Sequence, residues 1–553
     1  MKSIKNIFQS NMLVLFFLLA TILLLYSNTL ESPFIFDDAP NIERNSLVNI
    51  QDLAPEKLWQ VATSSPIKWR ILPNLSFALN YYFGGSDSTG YHLVNIIIHI
   101  AVTFVLYLLA KTTLGLPGLA NRFQRTGEIA FAAALLWAVH PLQTNAVTYI
   151  VQRMTSMAAL FFLLALLCYV KARISKDNSR RIILFIGATL LGVMALFSKE
   201  NSGMLPVMIL GYEFFLLPGH DRKGQNRKKL LLLTGGALVV FLLICWLFLG
   251  SDPLSGVLGG YGAREFTLGQ RLLTETRIVI HYLSLLVLPL PGRLNLAYDY
   301  QLSTGLFTPP ETLLAIIGLV GLTSLIFSLY KKDRLTAFAI FWLLGNLAVE
   351  STFIPLELIF EHRMYLPSMF LILAGVAWLY RLTINKKKTA RLIIIGVLLL
   401  LSLFTWQRNS VWKNEITFWT DVTQKSPGSL RAHSNLGLAY INVKDFDTAK
   451  YYLAKAIAIG HNDKSSNFGF AARKSYLAVA HNILGVAYRE TGNFPAAIKH
   501  AEQALKLHPE NPNSPVILGI TYSKLSQDLK AYKYFSKASK EGVVSAGLYN
   551  NLR

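Results

Sequence analysis

From about residue 11 to residue 406 the chain alternates long apolar stretches with short polar connections, and nothing comparable follows. A helix that crosses ~30 Å of hydrocarbon needs roughly 17 to 25 residues of this kind. The pattern predicts eleven such helices, over 11–28, 93–110, 128–145, 155–170, 182–198, 202–218, 230–250, 311–330, 335–350, 365–381 and 391–406. A weaker apolar segment over 278–291 runs into Pro289-Leu290-Pro291-Gly292 and reads as re-entrant or interfacial rather than spanning. The first stretch follows Lys2 and Lys5 as a signal sequence would, but no small-x-small cleavage pattern precedes Glu31, so it is expected to stay as an anchor.

Beyond residue 406 the pattern changes to an internal repeat. Leu436-Gly437-x-x-Tyr440 recurs as Leu484-Gly485-x-x-Tyr488 and as Leu518-Gly519-x-x-Tyr522. The last two copies are 34 residues apart, and the first two are separated by one such period plus an insertion over 461–474. Small residues follow at matching offsets, Ala449 and Ala456, Ala497 and Ala504, Ala531 and Ala538, with Pro509 closing the second copy. Small side chains let antiparallel helices approach closely, and stacked copies bury a core that no single copy can. Spacing and residue types together resemble the tetratricopeptide repeat. The expected fold is therefore all-α: a polytopic membrane bundle over 1–406, a connecting half-repeat over 407–429, and a helical solenoid of about three repeats over 430–553.

Composition agrees and adds orientation. Of 553 residues, 53% are hydrophobic and only 15% charged, which excludes an ordinary water-soluble enzyme. The net charge of +22 would suggest nucleic acid, but most of the basic residues before position 408 lie in six short clusters between apolar stretches. Basic connections stay cytoplasmic, so the excess marks topology, and no nucleic-acid partner is expected. With every cluster inside and eleven crossings, the N-terminus is cytoplasmic and the repeats lie outside. Cys168 and Cys245 both sit in apolar runs and cannot form a disulfide framework or a thiolate zinc site.

This topology singles out the polar residues at the outer ends. The first outer loop, 31–92, opens on Pro33-Phe-Ile-Phe-Asp37-Asp38. His140-Pro141-Leu-Gln143-Thr-Asn145 joins the third and fourth stretches and is followed by Tyr149, Gln152 and Arg153. Ser198-Lys199-Glu200-Asn201 joins the fifth and sixth, and Glu361-His362-Arg363-Met-Tyr365-Leu-Pro367 forms a later connection. Most of these could be plain turns. Arg153 is harder to dismiss, since a charge inside an apolar run costs about 2.5–3.5 kcal/mol on insertion scales. Its expected partners are Asp37, Asp38, Glu200, Glu361 or an anionic ligand. Two carboxylates can supply a general base and a metal or hydroxyl ligand, and cations beside them can hold a phosphate leaving group. Asp299, beside the weak segment, is a lesser candidate.

Taken in order, Phe36-Asp37-Asp38, His140-Pro141 with Arg153, Ser198-Lys199-Glu200, Glu361-His362-Arg363-Met-Tyr365-Leu-Pro367 and the repeats resemble the transmembrane and tetratricopeptide-repeat O-mannosyltransferases. These are multi-spanning glycosyltransferases of the C superfamily, related to the protein O-mannosyltransferases. The resemblance implies transfer of a sugar from a polyprenyl-phosphate donor to a hydroxyl, with protein Ser or Thr as acceptor, on the non-cytoplasmic face. It implies that Asp37 is the base and that Asp38 positions the acceptor or a divalent cation such as Mg or Mn. Arg363 and Arg153, with Lys199 and His140, would hold the carrier phosphate, supported by Glu200, Glu361, His362 and Tyr365. The repeats would bind the acceptor protein or a partner. The short array fits a bacterial relative and a bacterial inner-membrane setting with a periplasmic repeat domain. Two other readings stand beside this one: a transferase that modifies a lipid-linked glycan or envelope polysaccharide, and a non-enzymatic membrane scaffold.

Overall fold

The structure is a computed structural model that describes residues 10–64, 69–120, 122–217, 253–264, 266–384, 386–461 and 470–540, with isolated helical positions between 235 and 246. The predicted stretch 230–250, the Lys2/Lys5 and 222–229 basic clusters and most of the 461–474 insertion lie outside the described residues. Among the described residues the chain is helical, with no strand beyond a single bridge between Gly305 and Thr308. It divides into two compact units. The first comprises Met1–Val257, Leu272–Leu294 and Ser303–Lys413; the second comprises Leu258–Arg271, Asn295–Leu302 and Asn414–Arg553.

In the first unit, six helical segments among the described residues are long and apolar enough to cross a membrane: Asn11–Thr29, Ser88–Leu114, Ile150–Ile174, Asn178–Leu196, Glu311–Leu329 and Lys388–Lys413. Four other predicted spans are shorter than the sequence pattern suggested. They are α1 (Thr126–Ala138), α2 (Leu205–Leu216), α3 (Arg334–Ala348) and α4 (Ser368–Leu382). With 12 to 15 residues each, they reach only about 18–23 Å at 1.5 Å per residue. Prolines account for several of the stops. Pro141 follows the end of α1, Pro206 sits in the first turn of α2, and Pro367 caps α4. A proline has no N–H to donate to a preceding turn and disfavours helix in the residue before it. All four helices stop short at the same end, where irregular backbone carries the polar residues singled out above.

The weak segment 278–291 is also redrawn. It is the second half of a 20-residue helix, Leu268–Val287, which carries Arg271, Glu275, Arg277 and His281 and is not among the six apolar helices. The core of the first unit is aromatic. Trp342 packs against Phe162, Phe338 and Phe370, and its indole N–H donates to the Leu366 carbonyl at 2.9 Å. Where α2 and α3 cross, a Cβ on Gly345 would lie 2.2 Å from the end of the Met208 side chain, so glycine leaves room for that methionine.

The basic ends of the helices meet at the other end of the bundle. Lys111 donates to Asn11 at 3.1 Å, Arg391 to Glu128 at 2.6 Å, Arg173 to Glu213 at 2.5 Å and Arg381 to Asp333 at 2.9 Å. Arg122 reaches the Lys332 carbonyl at 2.8 Å.

The second unit contains the repeats. After a capping box at Asn414, helix Glu415–Lys425 leads into three helix pairs. They are Leu430–Asn442 with Phe446–His461, Phe470–Glu490 with Phe494–Leu507, and Asn513–Lys524 with Asp528–Lys540. The same ring pair recurs in each: Tyr440 on Tyr452, Tyr488 on His500 and Tyr522 on Tyr534, with centroids 5.4–5.7 Å apart and planes within 3°. The six small positions read from the sequence are all buried. Within this unit the 295–302 segment is tied to helix Glu415–Lys425 through Ser426. Asn295 Nδ2 and the Asp299 N–H donate to the Ser426 hydroxyl, which donates to the Ala297 carbonyl. The Asp299 backbone therefore anchors a loop.

Candidate active site

The site is built on residues 139–152, a buried irregular segment between α1 and the helix Arg153–Ile174. Backbone without helix is tolerated at membrane depth only where protein satisfies its polar groups, and here neighbouring helices do so. Asn95, on the helix Ser88–Leu114, donates to the carbonyls of Val147 and Ile150 at 3.1 and 3.2 Å. Thr405 donates to the Val139 carbonyl at 2.6 Å. Thr148 donates to Asn409 at 3.3 Å, and Asn409 in turn donates to the Leu25 carbonyl at 3.2 Å.

This segment holds the acidic pair and separates its two members. Asp38 is almost fully buried and accepts one backbone N–H on each oxygen, from Ile35 at 3.0 Å and from Val151 at 2.6 Å. Burial pushes its carboxyl up to about 8, against the pull of those N–H groups. Asp38 thus pins the first loop to the 139–152 segment. Asp37 is half-buried, and its N–H donates to the Tyr149 hydroxyl at 3.0 Å. Phe36, immediately before it, has φ of 56°, a left-handed conformation that a bulky side chain adopts only under constraint. The strained turn sends the two neighbouring carboxylates to different surroundings.

On the other flank of the segment, Asn145 accepts from His362 Nδ1 at 2.8 Å. His362 stacks on Phe360 and lies within the field of three cations, Arg70, Lys199 and Arg363. Burial and those cations hold its imidazole well below the usual range, hence neutral. Each cation has a carboxylate partner. Arg70 pairs with Glu200 at 3.2 Å, Lys199 with Glu350 at 2.9 Å and Arg363 with Glu275 at 4.0 Å. Burial would raise the Glu350 carboxyl, but Lys199 and Arg363 outweigh it and hold the group below its ordinary value. Arg363 also donates to the carbonyls of Leu358 and Glu357. A small pocket beside these groups is lined by Thr155, Asn201, Ser202, Asn346, His362 and Arg363. The cations therefore stand beside this pocket already fixed in place by carboxylates and backbone carbonyls.

Several residues expected at this site are used elsewhere. Arg153 is fully buried and pairs with none of the expected acids. Its guanidinium donates to Asn95 Oδ1 at 2.7 Å, to the Ser76 carbonyl and hydroxyl at 3.2 Å and to the Tyr91 carbonyl at 3.0 Å, and lies over the Phe77 ring. It locks the first loop rather than facing a ligand. His140 spends both ring nitrogens on backbone: Nδ1 accepts from the Leu142 N–H, and Nε2 donates to the Leu286 carbonyl. Tyr365 is fully buried among His99 and Trp137, and its hydroxyl donates to His99 Nδ1 at 2.7 Å. Glu200 is the partner of Arg70, and Glu361 is fully buried at the start of the turn that carries Arg363.

Arg70, Glu275 and Glu350 were absent from the sequence reading. Arg70 had a signal, a basic residue within the first outer loop just before the apolar run that starts at Ile71. Glu350 sat at the end of a predicted span and Glu275 just before the weak segment 278–291, where an acid looks like an interfacial residue. Among the described residues no three His, Cys, Asp or Glu side chains gather as a metal cage, and both Asp38 oxygens are engaged by backbone. The residues present do not make Asp38 a metal ligand.

Comparison with known proteins agrees with this architecture. The family model for dolichyl-phosphate-mannose-protein mannosyltransferase matches residues 71–248, so the acidic pair lies outside the matched region. Tetratricopeptide-repeat models match 430–459 and 478–511. The chain is 29% identical to protein O-mannosyl-transferase F38B6.6 of Caenorhabditis elegans, over 74% of this chain and 58% of that protein. It is 25% identical to protein O-mannosyl-transferase TMTC3 of Homo sapiens, over 95% of this chain and 64% of the relative. It is 33% identical to TMTC2 of Mus musculus over a shorter region, 42% of this chain and 29% of the relative. The chain thus spans less than two thirds of the length of these curated relatives. All three are animal proteins, so the bacterial setting expected from the short array draws no support from them.

Proposed function

We propose that this integral membrane protein is a glycosyltransferase that moves a sugar, mannose by likeness to its relatives, from a polyprenyl-phosphate donor to a Ser or Thr hydroxyl of a protein. The observation that carries the reading is one arrangement: a half-buried Asp37 and the Lys199, Arg363 and Arg70 group lie on two flanks of the same 139–152 segment. Asp37 takes the proton of the acceptor hydroxyl. The freed oxygen attacks the anomeric carbon as the carbon–oxygen bond to the carrier phosphate breaks. The leaving polyprenyl phosphate carries away the bonding pair, and its charge is held by the cations. Asp38, Tyr149 and Arg153 act as positioning residues that fix the loop. Attack opposite the leaving group inverts the anomeric centre.

Among the described residues, four basic groups that pair across helix ends, Lys111, Arg173, Arg381 and Arg391, lie at the opposite end of the bundle from Asp37, which supports a site on the non-cytoplasmic side. The repeats supply a surface for the acceptor protein or a partner. A vesicle assay with polyprenyl-phosphate mannose and an acceptor polypeptide tests the base. Asp37→Asn is expected to lower transfer by roughly 10²–10⁴-fold with an unchanged unfolding midpoint. Wild-type rates in Asp37→Asn would remove the assignment.

A further inference from the structure

The end of the bundle away from Asp37 holds a second feature that sugar transfer does not use. Between α1, α4 and the helix Lys387–Ser410 runs an apolar crevice of about 230 Å³, lined by Phe131, Ala132, Leu135, Ile394, Ile395 and Leu398. Tyr380 forms its rim and also borders an adjoining pocket of about 80 Å³, where Arg122, Arg125 and Arg381 stand among Phe123, Ile129 and Ile384. Arg391 stands at the mouth of the crevice. Along the helix Lys387–Ser410 the apolar lining descends from Arg391 to Leu398, a drop of about 10 Å at 1.5 Å per residue. The outer surface of that helix is lipid-facing, with Leu392 and Leu399 each 68% exposed.

The charges there do not cancel. Glu128 accepts from Arg391 at 2.6 Å, from Arg125 at 3.0 Å and from the Tyr380 hydroxyl at 2.8 Å, so one carboxylate serves two arginines. Arg381 pairs with Asp333, and Arg122 donates to a backbone carbonyl. Four arginines therefore face two carboxylates. An apolar crevice open to hydrocarbon and rimmed by surplus cations matches a molecule with an acyl chain and a negative headgroup. We infer that this crevice binds an anionic glycerophospholipid, one acyl chain lying along Ile394–Leu398 and the phosphate beside Arg122, Arg125 and Arg381. Water would leave the crevice wall unsatisfied, and a zwitterionic lipid would fill the crevice without neutralising the arginines.

The full-length protein, stripped in detergent, tests this directly. Native mass spectrometry and thermal unfolding are followed as phosphatidylglycerol, phosphatidylcholine of the same chains, or inorganic phosphate is added. Phosphatidylglycerol is expected to bind and to raise the midpoint well above the effect of phosphatidylcholine, and inorganic phosphate alone to leave it unchanged. Arg122→Gln and Arg381→Gln, both at exposed positions, should each weaken phosphatidylglycerol roughly fivefold without altering phosphatidylcholine. Ile395→Trp, which fills the crevice from its exposed side, should weaken both lipids. Equal stabilisation by the two lipids, an equal shift from inorganic phosphate, or unchanged affinity in the arginine variants would overturn the proposal. None of these readouts involves sugar transfer.

Discussion

Arg153 and Arg363 look alike in sequence, each an arginine at the outer edge of an apolar stretch, yet they do different work. Arg153 donates to neutral oxygens of the first loop and the adjacent helix, and its guanidinium lies over an aromatic face. Replacing it with methionine leaves Asn95 Oδ1 and the Ser76 and Tyr91 carbonyls without that donor, at about 1–3 kcal/mol for each group left unsatisfied. Arg153→Met is expected to lower the unfolding midpoint while leaving the donor KM of the folded fraction unchanged. Arg363 is held by carbonyls and by Glu275 at the edge of the pocket with His362, so Arg363→Gln should raise donor KM about tenfold, as loss of a charge-assisted contact would. A reversed pattern would exchange the two roles. Asp38→Asn differs from Asp37→Asn for the same reason. It replaces one of two backbone-accepting oxygens with an NH₂ group, so the expected loss is stability of about 1–2 kcal/mol, read by thermal unfolding. Arg153 could be flagged from sequence because a charge in an apolar run needs a partner. Which partner it takes depends on residues up to 77 positions away, beyond any local pattern.

At the scale of elements, apolar periodicity marked where helices occur but overestimated four of them. Between α1 and the next helix, the run Val139 to Arg153 is as buried as a span, yet it turns through short 3-10 and α pieces. Hydropathy reports burial and cannot separate a buried helix from a buried turn; Pro141, Pro206 and Pro367 were the visible warning. The repeats were far more legible, because their close approaches require specific small residues. A Cβ on Gly519 would lie 2.6 Å from the Phe535 ring. Gly519→Val should therefore destabilise the last helix pair by about 1–3 kcal/mol, seen as faster hydrogen exchange over Asn513–Lys540 with the first pair unaffected. Equal protection in the variant would mean that the pair separates without cost.

For the whole molecule, the basic connections are the strongest constraint. Asn11 with Lys111, Glu128 with Arg391 and Asp333 with Arg381 bring the ends of helices far apart in sequence to one end of the bundle. Single cysteines, introduced into a background lacking Cys168 and Cys245, test which side that is. A cysteine at Lys332 should resist a membrane-impermeant reagent in intact cells, whereas one at Tyr451, exposed in the repeats, should react. Reaction of both, or of Lys332 alone, would invert or break the topology.

Helical class, the membrane bundle, the repeat array and the asymmetry of charge were all present in the order of residues, because each depends on local spacing, on a 34-residue recurrence or on composition. The identity of the site was present only as a set of conspicuous polar residues. Folding sorted that set: Asp38 was drawn to Val151, His362 to Asn145 and Lys199 to Glu350, while Arg153, His140 and Tyr365 were committed to backbone and core. Partner choice of this kind is set by which helix ends meet in space, and a buried polar group takes the nearest group that satisfies it, however distant in the chain.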